Sequence, residues 1–141
     1  MKALGLDVGS KTIGVAASDE LGWTAQAVIT VRRTNFRSDL AQLKQLVQER
    51  GIDHLIVGLP LNMDGSEGPS AQEARKVGDA LAEQAPLTVI YWDERLSTVA
   101  AQRALLEGNA SRKKRKEVID QVAAALILQG WLDSRSRRDE E

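Results

Sequence analysis

Residues 2–31 read KALGLDVGSKTIGVAASDELGWTAQAVITV, and the placing of turns within this stretch decides the fold class. Lys2 to Val8 alternates Ala3 and Gly5 with Leu4 and Leu6, and Gly9-Ser10-Lys11 makes a turn. Strand-like sequence resumes from Gly14 to Ser18 and again from Ala27 to Val31. Three strands joined by short turns predict an antiparallel meander. The period then changes: Leu40, Leu43, Leu46 and Val47 share one helical face, Ser38 is the expected N-cap, and Gly51 stands where a left-handed C-terminal cap is wanted.

His54 to Gly58, HLIVG, is a short continuous apolar run, the pattern of a parallel strand covered on both faces. A polar, glycine-containing loop follows from Asn62 to Pro69. Ser70 and Glu73 form an expected capping box, Ala74, Val77 and Leu81 a helical stripe, and Pro86 a stop. Thr88 to Trp92 reads as a fifth strand. Ser97 is the expected cap of a helix running to Gly108, and a last helix spans Lys113 to Leu132 with Ile119, Val122, Ala123 and Leu126 inward. The polar end, Asp133 to Glu141, is expected to be a disordered tail.

The order β-β-β-α-β-α-β-α-α predicts an α/β fold. Right-handed crossovers make the fourth and fifth strands parallel to the first, so the sheet is five-stranded and mixed: an antiparallel meander plus two parallel strands, flanked by helices. At 141 residues, 43% of them hydrophobic, the chain is long enough for one core and short for two, so residues 1–132 are expected to be a single domain.

With no Cys, thiolate metal sites, Cys nucleophiles and disulfides are excluded, and any metal must be held mainly by oxygen. No apolar run approaches a bilayer-spanning length, and a cytoplasmic protein is expected. The net charge is −1, with 19 Lys and Arg against 20 Asp and Glu, so overall basicity announces no polyanion partner. Distribution does. Arg112, Lys113, Lys114, Arg115 and Lys116 are consecutive, and Arg32, Arg33 and Arg37 form a looser second group. Cations at a helix N-terminus oppose the macrodipole, so the 112–116 run calls for an anionic partner such as phosphate; a solvated run offset by Glu107 and Glu117 is the plain alternative.

In open α/β sheets, ligand groups collect beyond the carboxyl ends of the parallel strands. Asp7 closes the first strand and the Asp93-Glu94 pair closes the fifth, so both emerge at one edge. Asp120 borders the apolar stripe of the last helix, which could carry it to the same edge. A carboxylate there is costly to desolvate without a positive partner, and a divalent cation supplies one. Three converging carboxylates suit Mg2+ or Mn2+, which can activate water against a phosphodiester. Each acid alone has an ordinary reading: a turn former at Asp7, a surface partner of Arg95 at Glu94, a solvating helix flank at Asp120. The 62–69 loop lies at this edge too, while His54 begins a strand and faces away from it. Trp23, Trp92 and Trp131 read as core or partly buried packing.

GLDVGSKTIGVAASD (5–19), VGLPLNMDGSEGPSA (57–71), DERLST (93–98) and RKKRKEVIDQVAAALILQGWL (112–132) together resemble the YqgF family, also called RuvX. The resemblance spans nearly the whole chain in order. It implies an RNase H-like fold, akin to the RuvC Holliday-junction resolvases, and a metal-dependent nuclease, a hydrolase of the two-metal type. The implied role is maturation of the 5′ end of pre-16S ribosomal RNA; action on branched DNA, as a dimer with two symmetric sites, is the alternative. The family's acidic positions fall on Asp7, on the Asp93-Glu94 pair with Glu94 preferred, and on Asp120. These would be the catalytic residues, with Asp7, Glu94 and Asp120 holding Mg2+ or Mn2+. Lys11, Arg95, Lys113 and Lys116 look like the associated basic positions, and the rest of the 112–116 run joins them as candidate nucleic-acid contacts.

Two rivals come from other classes. The Asp7-Val8-Gly9-Ser10-Lys11 turn is similar to the first phosphate loop of the actin and sugar-kinase superfamily, but those enzymes close two such domains on a nucleotide. A non-catalytic RNA-binding assembly factor would keep the fold and use the carboxylates for stability alone. No oligomerisation motif stands out, and either a monomer or a homodimer is compatible with the sequence.

Overall fold

A computed structural model of the chain describes residues 1–96 and 112–140. The meander consists of β1 (Ala3–Val8), β2 (Thr12–Ser18) and β3 (Ala25–Arg32), followed by α1 (Phe36–Arg50), β4 (His54–Leu59), α2 (Pro69–Gln84) and β5 (Thr88–Asp93). A single 3-10 turn (Glu94–Leu96) extends β5, and a long helix, α3 (Arg112–Glu140), ends the description. The helix expected after Ser97 lies outside the described residues.

The sheet order is β3-β2-β1-β4-β5. β1 pairs antiparallel with β2 and parallel with β4, and β4 pairs parallel with β5, as the strand patterns predict. β1 is buried along its whole length because it lies at the centre, covered on both faces. Alternation sends Leu4, Leu6 and Val8 toward α1 and α2, where they join Val15, Leu43, Val57, Val77 and Leu81 in the larger apolar cluster. Ala3 on the opposite face joins Ala16, Ile56, Ala124, Ile127, Leu128 and Trp131 beneath α3.

Several boundaries differ from expectation for definable reasons. Asn35, not Ser38, caps α1: its side-chain oxygen accepts from Ser38 N at 2.8 Å, leaving Ser38 inside the first turn. Gly51 does adopt the left-handed conformation at φ 62° and ψ 40°. The Ser70–Glu73 capping box does not form, because Gly68 is the N-cap and Pro69 starts α2, placing Ser70 within the helix. Glu73 instead accepts a bond from Arg33 Nη2 at 2.7 Å.

The inward face of α3 is rotated from the expected one. Ile119, Ala123, Ala124, Ile127, Leu128, Trp131 and Leu132 are buried, while Val122 and Leu126 are only half-buried. The helix also continues through Asp133–Glu140, where a disordered tail was expected. Local bonds favour the continuation: Gln129 Nε2 donates to Asp133 Oδ1 at 2.9 Å, Ser134 Oγ to Trp131 O at 2.8 Å, and the Arg135 guanidinium lies 5.1 Å from the Trp131 ring centroid. Trp23, read as packing, is 67% exposed at the β2–β3 turn. Its backbone rather than its indole is anchored there, by a bond from Trp23 N to Asp19 Oδ1 at 2.8 Å.

Candidate active site

Asp7 is 8% exposed, a carboxylate near the end of the central strand. By strand alternation it shares the α3 side of the sheet with Ala3 and Gly5. Its cross-strand partner on β2 is Gly14. On the other side the register runs Leu6↔Val57, so Gly58 of β4 is the next residue alongside Asp7. Two positions without side chains therefore flank this acid.

The other two acids approach over those glycines. A Cβ on Gly14 would stand 2.0 Å from the Asp120 carbonyl oxygen, so α3 touches the sheet there. The Asp120 carboxylate accepts a bond from Thr12 Oγ1, which holds it at the start of β2. A Cβ on Gly58 would lie 3.2 Å from Glu94 Oε1, an oxygen enclosed by the protein. Asp120, Asp7 and Glu94 thus come from a helix, a strand and the turn after another strand to the α3 side of the sheet, at the carboxyl end of β1. Among the described residues, the side chains do not close into a group of three His, Cys, Asp or Glu able to hold a metal ion. The backbone brings the acids to one edge, while the Asp120 carboxylate is turned toward Thr12. An all-oxygen donor set suits a hard divalent cation.

Asp93 departs from this row. It follows Tyr91 on the α2 side of the strand and is gripped by Arg95, with Nε to Oδ1 at 3.0 Å and Nη2 to Oδ2 at 2.8 Å. These bonds hold the Asp93 carboxyl below the ordinary carboxylate range, against a smaller opposing effect of burial. Arg95, expected to meet phosphate, is bound to Asp93 and donates Nη1 to Met63 O at 3.3 Å. Lys11 is exposed in the β1–β2 turn. The Arg112–Lys116 backbone forms the first turns of α3, and Lys113 precedes Asp120 by about 10 Å at the usual helical rise.

Sequence reasoning missed Arg33, grouping it with Arg32 and Arg37 as a surface cation. Its side chain is 11% exposed. It donates Nε to Asp39 Oδ2 at 3.1 Å, Nη2 to Glu73 Oε1 at 2.7 Å and Nη1 to Gly9 O at 3.0 Å. Desolvation works against the guanidinium charge, but the bonds to Glu73 and Asp39 outweigh it and raise the pKa. One side chain therefore fastens the turn after Asp7 to both α1 and α2. Thr12 was missed as well, and nothing in its sequence context marks it as a holder of Asp120.

The family model described as RuvX, Holliday junction resolvase, matches residues 1–134. A provisionally named pre-16S rRNA nuclease of Myxococcus xanthus is 59% identical over 139 residues, covering 99% of this chain and 92% of that protein. A relative of the same provisional name from Moorella thermoacetica is 57% identical, covering 94% and 95%. Among solved structures, Thermus thermophilus RuvC in complex with a Holliday junction substrate superposes with a TM-score of 0.63 at 13% identity, covering 96% of each chain. The yeast mitochondrial Holliday junction resolvase gives 0.54 at 13% identity, covering 98% of this chain and 80% of its own. At such identities these two structures speak for the fold, which is RNase H-like as expected.

Proposed function

The chain belongs to the RuvX family, and from that premise we propose that it is a metal-dependent nuclease that hydrolyses phosphodiester bonds in 5′-end processing of pre-16S rRNA. The observation that carries this reading is the row of Asp120, Asp7 and Glu94 on one side of the sheet, spaced by Gly14 and Gly58. Asp7 is the central ligand, Glu94 and Asp120 complete the set, and Asp93 serves Arg95 instead. When bound there, Mg2+ or Mn2+ supplies a water activated for attack and stabilises charge on the leaving oxygen.

The chain's own residues perform the remaining work. Thr12 orients Asp120, and Arg33 fixes the Gly9 carbonyl, so the turn that follows Asp7 is held as substrate arrives. Lys11 and the Arg112–Lys116 run neutralise flanking phosphates, and binding weakens as salt rises. Among the described residues, no helix is long and apolar enough to cross a membrane.

Action on a four-way DNA junction is the second reading, favoured by the family's description and by the fold shared with junction resolvases. It requires a dimer presenting two symmetric sites. A pre-rRNA leader and a synthetic junction, each incubated with protein and either metal, separate the two. Asp7→Asn should abolish cleavage while leaving folding and binding largely intact. Cleavage unchanged in that variant removes the central assignment; substrate binding without cleavage by the wild-type chain favours a non-catalytic assembly factor.

A further inference from the structure

The loop between β4 and α2 is closed by its own polar groups. Asn62 N donates to Ser66 O and Gly65 N to Asn62 O, each at 2.9 Å. Asn62 Nδ2 reaches Ser66 Oγ at 2.9 Å, and Asp64 Oδ1 accepts from Ser66 N at 2.9 Å and from Ser66 Oγ at 2.6 Å. Gly65 makes the tight bend possible with φ 87°. Glu67 is bonded to Arg75, and Arg95, itself held by Asp93, clamps the loop from outside through Met63 O. Each polar side chain from Asn62 to Glu67 thus has a partner within the protein.

Met63 is 99% exposed. A slack loop could fold an apolar side chain back onto the surface, but this one is braced internally and latched at the backbone of Met63 itself. The loop leaves the carboxyl end of β4, the edge at which the parallel strands β1 and β5 also end, so Met63 lies at the same edge of the sheet as the acids. The Arg95 guanidinium that latches the loop is itself engaged by Asp93. The loop therefore offers substrate an apolar, polarisable contact instead of a free charge.

We propose that Met63 is a substrate-binding residue that packs against the face of an unpaired nucleobase next to the scissile phosphodiester, in single-stranded RNA. The proposal rests on the nuclease reading above. Thioethers contact aromatic systems favourably, and methionine is among the side chains that wedge against unstacked bases. Every base has such a face, so the contact selects unpaired over paired substrate with little regard to sequence, because a duplex buries those faces in its own stack. Lys11, exposed in the β1–β2 turn, holds the backbone while Met63 meets a base.

The test uses binding, which does not depend on turnover. 2-Aminopurine is placed in turn at positions around the cleavage site of a single-stranded RNA and of the matching DNA, with a fully paired duplex as control. Emission is followed with the Asp7→Asn chain and, in parallel, with the wild-type chain in chelator. One single-stranded position should respond. Met63→Ala should erase that response and weaken single-strand binding by about tenfold, with duplex binding and thermal melting unchanged; Met63→Leu should retain most of both. No responsive position in the parent chain, or a response and affinity that survive Met63→Ala, overturns the proposal. Failure of the wild-type chain to cut any substrate with either metal would sink the nuclease reading instead, whatever the emission shows.

Discussion

Gly14→Ala tests whether α3 carries a working carboxylate. The added Cβ would meet the Asp120 carbonyl oxygen at 2.0 Å and its carbon at 2.4 Å. These are backbone atoms, so no rotamer change relieves the clash, and α3 must lift at Asp120 by about 1 Å to reach tolerable contact. Overpacking of this kind costs about 1–3 kcal/mol. Displacing a catalytic group by about 1 Å can cost on the order of 100-fold in rate. Gly5→Ala provides the control, since its Cβ would meet Leu128 Cβ at 2.8 Å and Ala124 O at 2.9 Å, a milder clash one to two turns further along α3. Urea unfolding gives the stability change of each variant, and metal-dependent cleavage below the unfolding transition gives the rate. Gly14→Ala should lose roughly 100-fold in kcat, and Gly5→Ala far less in relation to its own, smaller destabilisation. If Gly14→Ala cuts within twofold of wild type, or if both variants lose activity only in proportion to stability, the placement of Asp120 in the reaction is wrong.

Arg33→Met should leave Asp39, a 2% exposed residue, without its guanidinium partner and cost about 3 kcal/mol in urea unfolding. The Glu73 arm adds little because that carboxylate is 34% exposed, and converting Asp39 to Leu in the same chain should recover part of the loss. The Asp93–Arg95 latch has a defined pH window. Arg95 lowers the folded pKa of Asp93, so its contribution is complete above the unfolded value, near 3.9, and is lost as pH falls through the lower folded value. Hydrogen-exchange protection of residues 63–65 should therefore be equal at neutral and mildly acidic pH and fall in Asp93→Asn at both; loss of protection already at mildly acidic pH would refute the latch.

The strands were legible because their signals are local. Alternation at Ala3–Val8, a turn at Gly9-Ser10-Lys11 and the unbroken apolar run at His54–Gly58 each fix an element without reference to the rest of the chain. Asp7 and the Asp93-Glu94 pair followed from topology, since both end strands at one edge. Within that pair, alternation puts Asp93 on the face opposite Trp92 while Glu94 lies past the strand, so the strand pattern alone does not choose between them. The inward phase of α3 was only partly legible, because it depends on what lies beneath. Ile119 and Ala123 are buried as expected, but large residues such as Val122 and Leu126 look like the buried ones until the opposing surface is known to be Gly5, Gly14 and Gly58, against which Ala124, Ile127 and Leu128 pack. Glycine inside a strand is a signal of close approach, and Gly14 could have pointed to a helix crossing there. Arg33 carried no such mark. Charge spacing along a chain does not reveal which cation will find two carboxylates brought from α1 and α2.

The two faces of the sheet contribute differently to the site. On one, a broad apolar cluster with α1 and α2 secures the scaffold, and Arg33 passes that rigidity to the turn beyond Asp7. On the other, the three glycines let α3 settle onto the sheet along their line, so Asp120 and Glu94 reach the strand ends beside Asp7. Asp7 and Glu94 belong to the sheet and its extension, whereas Asp120 arrives only when α3 docks. Site assembly is therefore a tertiary event governed by a few close backbone contacts. A bulky residue at Gly14 would leave the large cluster intact while separating acids that share no local sequence.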